Sequence, residues 1–285
     1  MGEALPTSTV NVLDRLAYIM GTSACIMATT DAPRFVPGVW GPYFSAMVPG
    51  LWLNEGGQSA AGAGIDHLLR SHPAHGEAVA AAKNAGLGLL EFLERRAVSR
   101  FETVGAAAML ARGIHILPEF LGNRSPHADP HARAVVAGLD LGGDIENLER
   151  LFVAGLCGLA YGLADVVDVM RSHGIPLPND GNQRRGEPQS RSCARSWRIR
   201  PVWWWLCPHV PSRCCWELPC WAQSLIARLR PLQHAMSAMS GLASSTQATP
   251  PAMTRFHSAK RQVHALMRRL DTESRMVMQS SDANL

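Results

Sequence analysis

"LFVAGLCGLAYGLADVVDVMRSHGI", residues 151–175, is the stretch of sequence that decides the fold. Across Glu146–His173, apolar residues recur at every third or fourth position, which predicts one long helix with a continuous apolar face. Gly174 comes directly after and predicts a left-handed C-cap. Small residues at positions 154, 155, 158 and 162 predict close packing against a neighbour. The unbroken apolar run Leu151–Ala164 is too short to span a bilayer, so we expect no membrane association.

The regions on either side of this helix alternate between strand and helix patterns. Residues 16–30 read as two apolar runs around a Gly-Thr-Ser turn, which predicts a β-hairpin. Residues 34–53 are rich in glycine, proline and aromatics and predict short strands and turns. Further helices are expected at Ser59–Ser71, Glu77–Arg100 and Ala252–Met276, and a buried strand at Gly113–Leu117. This order of elements predicts an α/β or α+β domain.

The C-terminal helix shows a second amphipathic pattern. We expect its inner face to consist of apolar residues, namely Phe256, Val263, Leu266, Met267 and Leu270. We expect its basic residues to form the solvated face, namely Arg255, Lys260, Arg261, Arg268 and Arg269.

The bulk composition is that of a soluble globular protein. The chain has 285 residues, of which 47% are hydrophobic and 18% charged. The N-terminus lacks the basic start and apolar run of a secretory signal, and the seven cysteines show no paired spacing. We therefore expect a cytoplasmic protein. His67, His72, His75 and His115 lack metal-ligand spacing, so we predict no metal site within the chain.

Four segments in this order resemble the FGGY carbohydrate kinases, and their spacing is similar to that of the pentulose (ribulose-type) branch. They are MGTSACIM at 20–27, NEGGQSAAGAGIDHLL at 54–69, LPEFLGNRSPHADPHARAVVAGL at 117–139 and the long-helix segment at 151–175. The resemblance covers about residues 10–177 and 231–275. It implies the second, C-terminal domain of a kinase with two actin-like, ribonuclease-H-like domains. ATP and sugar would lie in the cleft between the two domains.

The resemblance also implies which residues contact the nucleotide. The turn Gly21-Thr22-Ser23 would meet the ATP phosphates through hydroxyls and backbone N–H groups; on its own, the tripeptide equally fits a plain hairpin turn. Gly62 and Asp66 match positions beside the nucleotide, although a carboxylate at Asp66 would repel phosphate and would face ribose or solvent. The glycine-rich run 56–64 is also compatible with a close helix–sheet crossing. ATP with Mg²⁺ is the expected cofactor.

Other residues are expected near the sugar or the domain interface. Gln58 lies close to the nucleotide loop, and Asn123 and Arg124 lie in the loop GNRSPHADP. Arg124 would pair with a phosphate, with a carboxylate of the other domain, or in a buried structural salt bridge. The family's catalytic aspartate precedes the hairpin in a segment that this sequence does not contain, and Asp14 has the wrong context to replace it. No catalytic residue is therefore assigned.

Residues 178–230 break every pattern around them. Within them, residues 183–230 contribute nine arginines and two acidic residues, against a net charge of +4 for the whole chain, and six of the eight tryptophans lie at 197–221. Read one base earlier, the codons forced by Trp and Cys encode Val-Leu-Leu-Gly and Val-Ile-Ser-Gly-Gly-Ala, which resemble the family at this point. We interpret this aberrant segment as a translated frameshift. Its cysteines contain no C-x-x-C pair, which argues against zinc.

The sequence thus predicts one kinase domain made of residues 1–177 and 231–285, interrupted by the aberrant segment 178–230. The expected reaction of the intact enzyme transfers the γ-phosphate of ATP to a ketopentose, and the chain alone is expected to be inactive. The alternatives are a non-catalytic interaction domain that uses the Trp- and Arg-rich segment and, more weakly, a nucleic-acid binder. Because proline-rich residues 178–230 would replace a core strand, we also expect the helix at 151–170 to have an uncovered apolar face.

Overall fold

The computed structural model describes residue 13 and residues 16–102, 104–177 and 251–282. The strands are β1 (Leu16–Met20), β2 (Ala24–Thr30), β3 (Trp40–Phe44), β4 (Trp52–Gln58), β5 (His115–Leu117) and β6 (Val135–Ala137). The helices are α1 (Gly62–Arg70), α2 (His75–Asn84), α3 (Leu89–Ser99), a 3₁₀ helix (Val104–Ala111), α4 (Ile145–Ser172) and α5 (Pro251–Asp282).

The larger sheet confirms the predicted hairpin. Its four strands run in the order β1-β2-β4-β3, and every neighbouring pair is antiparallel. Met20 pairs with Ala24, so Gly21–Ser23 form the turn between β1 and β2. β5 and β6 form a separate two-stranded sheet. The strand predicted at 113–117 corresponds to β5, which begins two residues later than predicted.

Strand β4 extends through the glycine-rich stretch that the sequence pattern assigned to the approach of α1. Gly56 and Gly57 lie inside this strand because the space above them is taken. A Cβ at position 56 would lie 2.7 Å from Cγ1 of Val166, and one at position 57 would lie 2.8 Å from the carbonyl oxygen of Ala24. The close crossing of helix and sheet that the sequence left open is therefore present on this strand.

The long helix α4 forms the centre of the core, as predicted. Its small residues admit close neighbours: a Cβ at Gly155 would meet Ile65 of α1, and one at Gly158 would meet the carbonyl oxygen of Ile116 in β5. The side chains of Leu148, Phe152, Leu156, Leu159 and Met170 are at most 1% exposed. The expectation that this face would be uncovered is therefore wrong. Although α4 is long and apolar enough to cross a membrane, 78% of its apolar window is buried inside the protein.

The predicted helix at 77–100 is two helices. α2 ends at Asn84 and α3 begins at Leu89, and Gly86 between them has a φ of +67°. Only glycine adopts this left-handed conformation without strain, so the backbone turns here although the apolar spacing continues.

Helix α5 was predicted correctly as a helix, but its faces were assigned correctly only in part: Met267 is buried and Arg269 is exposed as expected, whereas other positions differ. Leu266 and Leu270 are 52% and 58% exposed, whereas Lys260 is 5% exposed. The Nζ atom of Lys260 lies 2.5 Å from the carbonyl oxygen of Ala111 and 2.6 Å from that of Ile114. Arg261 and Arg268 are also not solvated, since both pair with Asp165 of α4 at 2.9 and 3.0 Å. The helix docks through ion pairs, which an apolar-face pattern does not detect.

Two sequence predictions lie outside the described residues. One is the aberrant segment 178–230, including its possible role in binding a partner or nucleic acid. The other is the statement about the context of Asp14. Both remain predictions.

Candidate functional site

The turn Gly21–Ser23 is held against the start of α1. The carbonyl oxygen of Gly21 accepts a hydrogen bond from the N–H of Gly62 at 2.9 Å, and that of Thr22 accepts from Ala61 at 2.9 Å and Ala63 at 3.2 Å. A Cβ at Gly62 would lie 2.6 Å from the Gly21 oxygen, so only glycine permits this approach. Three N–H groups at the start of α1, those of Ala61, Gly62 and Ala63, are thus bonded to the turn.

The hydroxyls of this turn remain available. Thr22 is exposed and Ser23 is half-buried, and neither hydroxyl has a hydrogen-bond partner among the described residues. Gly21, Thr22, Ser23 and Gly62 therefore form one rigid unit that presents two hydroxyls to solvent. Asp66 lies apart from this role: it forms an ion pair with Arg70 at 2.9 Å on the exposed side of α1.

Arg124, in the loop GNRSPHADP, contacts Trp40 and Glu55 of the larger sheet. We call these three side chains the clamp. The guanidinium carbon of Arg124 lies 4.1 Å from the centre of the Trp40 ring, and its Nη2 lies 2.8 Å from Oε1 of Glu55. A Cβ at Gly57 would lie 3.0 Å from this guanidinium. Of the roles that the sequence left open for Arg124, the structure shows an ion pair within the chain, with both side chains about one-fifth exposed.

The ion pair between Arg124 and Glu55 lies next to Cys25 on β2. The Arg124 Nη1 atom lies 3.9 Å from the Cys25 Sγ atom. Burial raises the pKa of the Cys25 thiol, and the neighbouring Glu55 raises it further, while Arg124 opposes this shift. The thiol is therefore held in its neutral form at physiological pH and is not an activated nucleophile.

Gln58 and Asn123 fix the backbone around this clamp. Gln58 donates from Nε2 to the carbonyl oxygen of Leu159 at 2.7 Å and accepts from the Tyr18 hydroxyl at 3.2 Å. Asn123 donates to Oε1 of Glu119 at 2.6 Å and accepts from the His127 N–H at 2.9 Å. Gln58 pairs in the sheet with Ala24, the residue directly after the Gly21–Ser23 turn, so Gln58 lies beside the end of that turn.

Sequence reasoning missed two members of the clamp. Glu55 was read only as part of a glycine-rich motif, and Trp40 only as one of several aromatics in a turn-rich stretch. Both lie on antiparallel neighbours, where Trp40 pairs with Glu55, so the pairing register between β3 and β4 brings them together. No spacing signal within the sequence indicates that register. Among the described residues, no group of three or more His, Cys, Asp or Glu is placed to hold a metal ion.

Comparison with solved structures defines the class of fold. A xylulose kinase from Rhodospirillum rubrum superimposes with a TM-score of 0.61 at 19% identity, over 89% of this chain and 46% of that one. A Plasmodium falciparum glycerol kinase determined with ADP gives 0.58 at 14% identity, over 90% and 48%. The domain therefore has the actin-like ATPase fold of the sugar kinases.

Comparison of sequences gives the family. The profile of the FGGY family of carbohydrate kinases, C-terminal domain, matches residues 16–180. An FGGY carbohydrate kinase domain-containing protein of Xenopus laevis is 42% identical over 57% of this chain and 30% of its own length. A D-ribulokinase of Saccharomyces cerevisiae is 35% identical over 57% and 23%. The chain belongs to the FGGY family of carbohydrate kinases, and it spans between 23% and 30% of the length of these two relatives.

Proposed function

We propose that this chain is the ATP-side domain of a kinase that transfers the γ-phosphate of ATP to a hydroxyl of a ketopentose. The observation that carries the proposal is the turn Gly21–Ser23, which is fastened to α1 and presents the hydroxyls of Thr22 and Ser23. Phosphoryl transfer needs polar groups positioned around phosphate oxygens, and a braced turn loses little freedom when it binds them.

The residues present fit an ATP phosphate group. When bound, ATP with Mg²⁺ supplies the phosphoryl group that is transferred. Thr22 and Ser23 would donate hydroxyl hydrogen bonds to phosphate oxygens, while Gly62 keeps the turn against α1. Asp66 would point away from the phosphates, because its carboxylate is paired with Arg70 on the exposed side of α1.

The ketopentose assignment is supported by the relatives. The D-ribulokinase of Saccharomyces cerevisiae is 35% identical, and a ribulokinase of Bacillus licheniformis is 28% identical over 61% of this chain. The clamp of Arg124, Glu55 and Trp40 provides charged and aromatic groups of the kinds that bind sugar hydroxyls and stack on sugar rings. We assign Gln58, Asn123 and Arg124 to this substrate or interface side.

We further propose that the chain does not catalyse phosphoryl transfer alone. The family resemblance places the general base and most sugar contacts in the first of the family's two domains, whereas residues 16–180 match the C-terminal domain. The kinase would then need that first domain as its partner and would act in the cytoplasm, and we expect no nucleic-acid or membrane partner.

The test begins with the nucleotide sequence across codons 170–240 and its upstream flank. We expect the upstream DNA to encode an actin-like first domain with a Gly/Asp-Ala-His segment. The joined open reading frame, with the central frame restored, is then expressed beside the chain as translated. Both are assayed for ATP-dependent phosphorylation of D-ribulose, L-ribulose, D-xylulose and, as a comparison, glycerol.

We expect the joined protein to phosphorylate a ketopentose and the chain as translated to give no turnover. Turnover of glycerol alone would overturn the substrate assignment. Sugar-stimulated ATP hydrolysis by the chain as translated would overturn its inactivity. Salt-sensitive retention of the chain on DNA without any kinase activity of the joined protein would favour the nucleic-acid alternative.

A further inference from the structure

A small cavity lies where the loop of residues 118–125, the end of β4 and the long helices α4 and α5 meet. Its lining includes Gly57, Gln58, Glu119, Leu159, Gly162 and His264. The cavity measures about 20 Å³ and is partly open to solvent. A water needs roughly 10 to 15 Å³ of such space, so the cavity accommodates one or two groups of that size.

Two buried polar side chains in the lining each have an atom without a partner among the described residues. Glu119 is 8% exposed, and its Oε1 is engaged by Asn123 while its Oε2 has no partner in that part of the chain. His264 is 4% exposed; its Nδ1 lies 3.7 Å from Oδ2 of Asp165, and its Nε2 has no partner there. Buried polar atoms in folded proteins are nearly always hydrogen-bonded, so both atoms point to a bound group.

The charges around the cavity define the chemistry of that group. Because the carboxylate of Asp165 faces Nδ1, the proton of the neutral imidazole belongs on Nδ1, and Nε2 is left as an acceptor. Arg268, whose Nε lies 3.4 Å from Oε1 of Glu119, keeps a buried Nη2 donor without a partner among the described residues. A cation would be repelled by Arg268 and Arg124, and an anion by Glu119. A neutral group that both donates and accepts matches this set.

We propose that this cavity is a binding site for a neutral hydroxyl group, supplied by water or by the end of a small polyol, that donates to Oε2 of Glu119 or Nε2 of His264. The bound hydroxyl connects the loop that carries Arg124 to helix α5. Burial lowers the pKa of His264 to about 4, so the imidazole is a neutral acceptor throughout the physiological range. The proposed site contains no nucleotide contact, so the result of its test is independent of the kinase assignment.

The experiment uses the full chain labelled with ¹⁵N-histidine and observed by NMR. The His264 signals are assigned by their loss in His264→Gln, and His257, a second buried imidazole, serves as the internal reference. Cross-relaxation between water and the His264 ring is measured first. Glycerol is then titrated, with ammonium chloride at equal osmolality as the matched probe for a cation. Glu119→Leu removes the acceptor, and Glu119→Gln keeps an oxygen acceptor at the same place.

We expect the Nε2 shift of a hydrogen-bonded acceptor, together with a water cross-peak or a saturable response to glycerol. A water cross-peak without a glycerol response identifies water as the source, and a saturable glycerol response identifies the polyol. Glu119→Gln should retain the signal and Glu119→Leu should lose it. An Nε2 shift typical of a free nitrogen, with neither cross-peak nor response, would overturn the site. A response to ammonium but not to glycerol would overturn the assignment of a neutral ligand. All of these outcomes are measured on the wild-type chain, so they test the site even if a variant does not fold.

Discussion

At the scale of single residues, Gly62 determines how close the turn Gly21–Ser23 lies to α1. Replacing Gly62 with alanine places a Cβ 2.6 Å from the backbone oxygen of Gly21, which cannot move aside as a flexible side chain would. We expect Gly62→Ala to lower the free energy of unfolding by about 1 to 3 kcal/mol. Urea denaturation of the purified chain measures this loss.

Gly76→Ala is the matched control for that change. Gly76 lies within α2, and a Cβ there would meet no atom within 4 Å. Since alanine favours helix over glycine, this variant should be neutral or stabilised by up to about 1 kcal/mol. Equal losses in the two variants would contradict the close approach between Gly62 and Gly21.

Glu94 on α3 gives a pH dependence with a definite sign. Burial and the neighbouring Glu91 together raise the pKa of this carboxyl from 4.5 to about 7, against the opposing effect of Arg95. The pKa of Glu94 is higher in the folded protein than in the unfolded chain, so ionisation of this carboxyl lowers the free energy of unfolding. This loss of stability is absent below pH 4.5 and grows as the pH rises through about 7. Glu94→Gln should therefore gain about 2 to 3 kcal/mol over wild type at pH 8 and nothing near pH 4. Urea titrations at both pH values test this, and an equal gain at both would contradict it.

At the scale of elements, Lys260 decides how α5 docks. Its ammonium donates to the carbonyl oxygens of Ala111 and Ile114 at the end of the 3₁₀ helix, and burial lowers its pKa. Lys260→Met removes this donor from two carbonyls and should cost about 2 to 4 kcal/mol. Hydrogen exchange of residues 251–275 should then accelerate. Arg269→Met, an exposed change on the same helix, should alter stability by less than about 0.5 kcal/mol, and equal exchange in both variants would refute the role of Lys260.

The same helix shows how far the sequence could predict the elements. Helical periodicity alone was sufficient to place both ends of α4 and the start of α5 within one residue, because a 3.6-residue repeat of apolar side chains is local information. The burial of Lys260, His264 and Asp271 on α5 was not predictable, since each has a partner more than 90 residues away. The same limit applies to the clamp around Arg124. Its motif was recognised, but Glu55 and Trp40 join it only through the register between β3 and β4.

At the scale of the whole molecule, α5 connects the end of the chain to the candidate site. Arg268 contacts Glu119 at 3.4 Å, Asp271 accepts from the N–H of Arg133 at 3.2 Å, and Arg275 pairs with Asp129 at 2.6 Å. These contacts secure the loop of residues 118–133, which carries Arg124. A helix late in the sequence thus holds a loop that precedes α4.

The affinity of the chain for ATP follows from what the described domain offers. The turn Gly21–Ser23 supplies two hydroxyls, but three N–H groups at the start of α1 are already bonded to the turn. By resemblance, the loop that contacts adenine is the Val-Ile-Ser-Gly-Gly-Ala stretch, which we expect only in the other reading frame of residues 178–230. We therefore expect the chain as translated to bind ATP with a Kd above about 1 mM, which corresponds to less than about 4 kcal/mol. Calorimetric titration with Mg²⁺ and ATP measures this, and the chain with its central frame restored is the control, which should bind more tightly. Micromolar binding by the chain as translated would show that the aberrant segment does not remove a nucleotide contact.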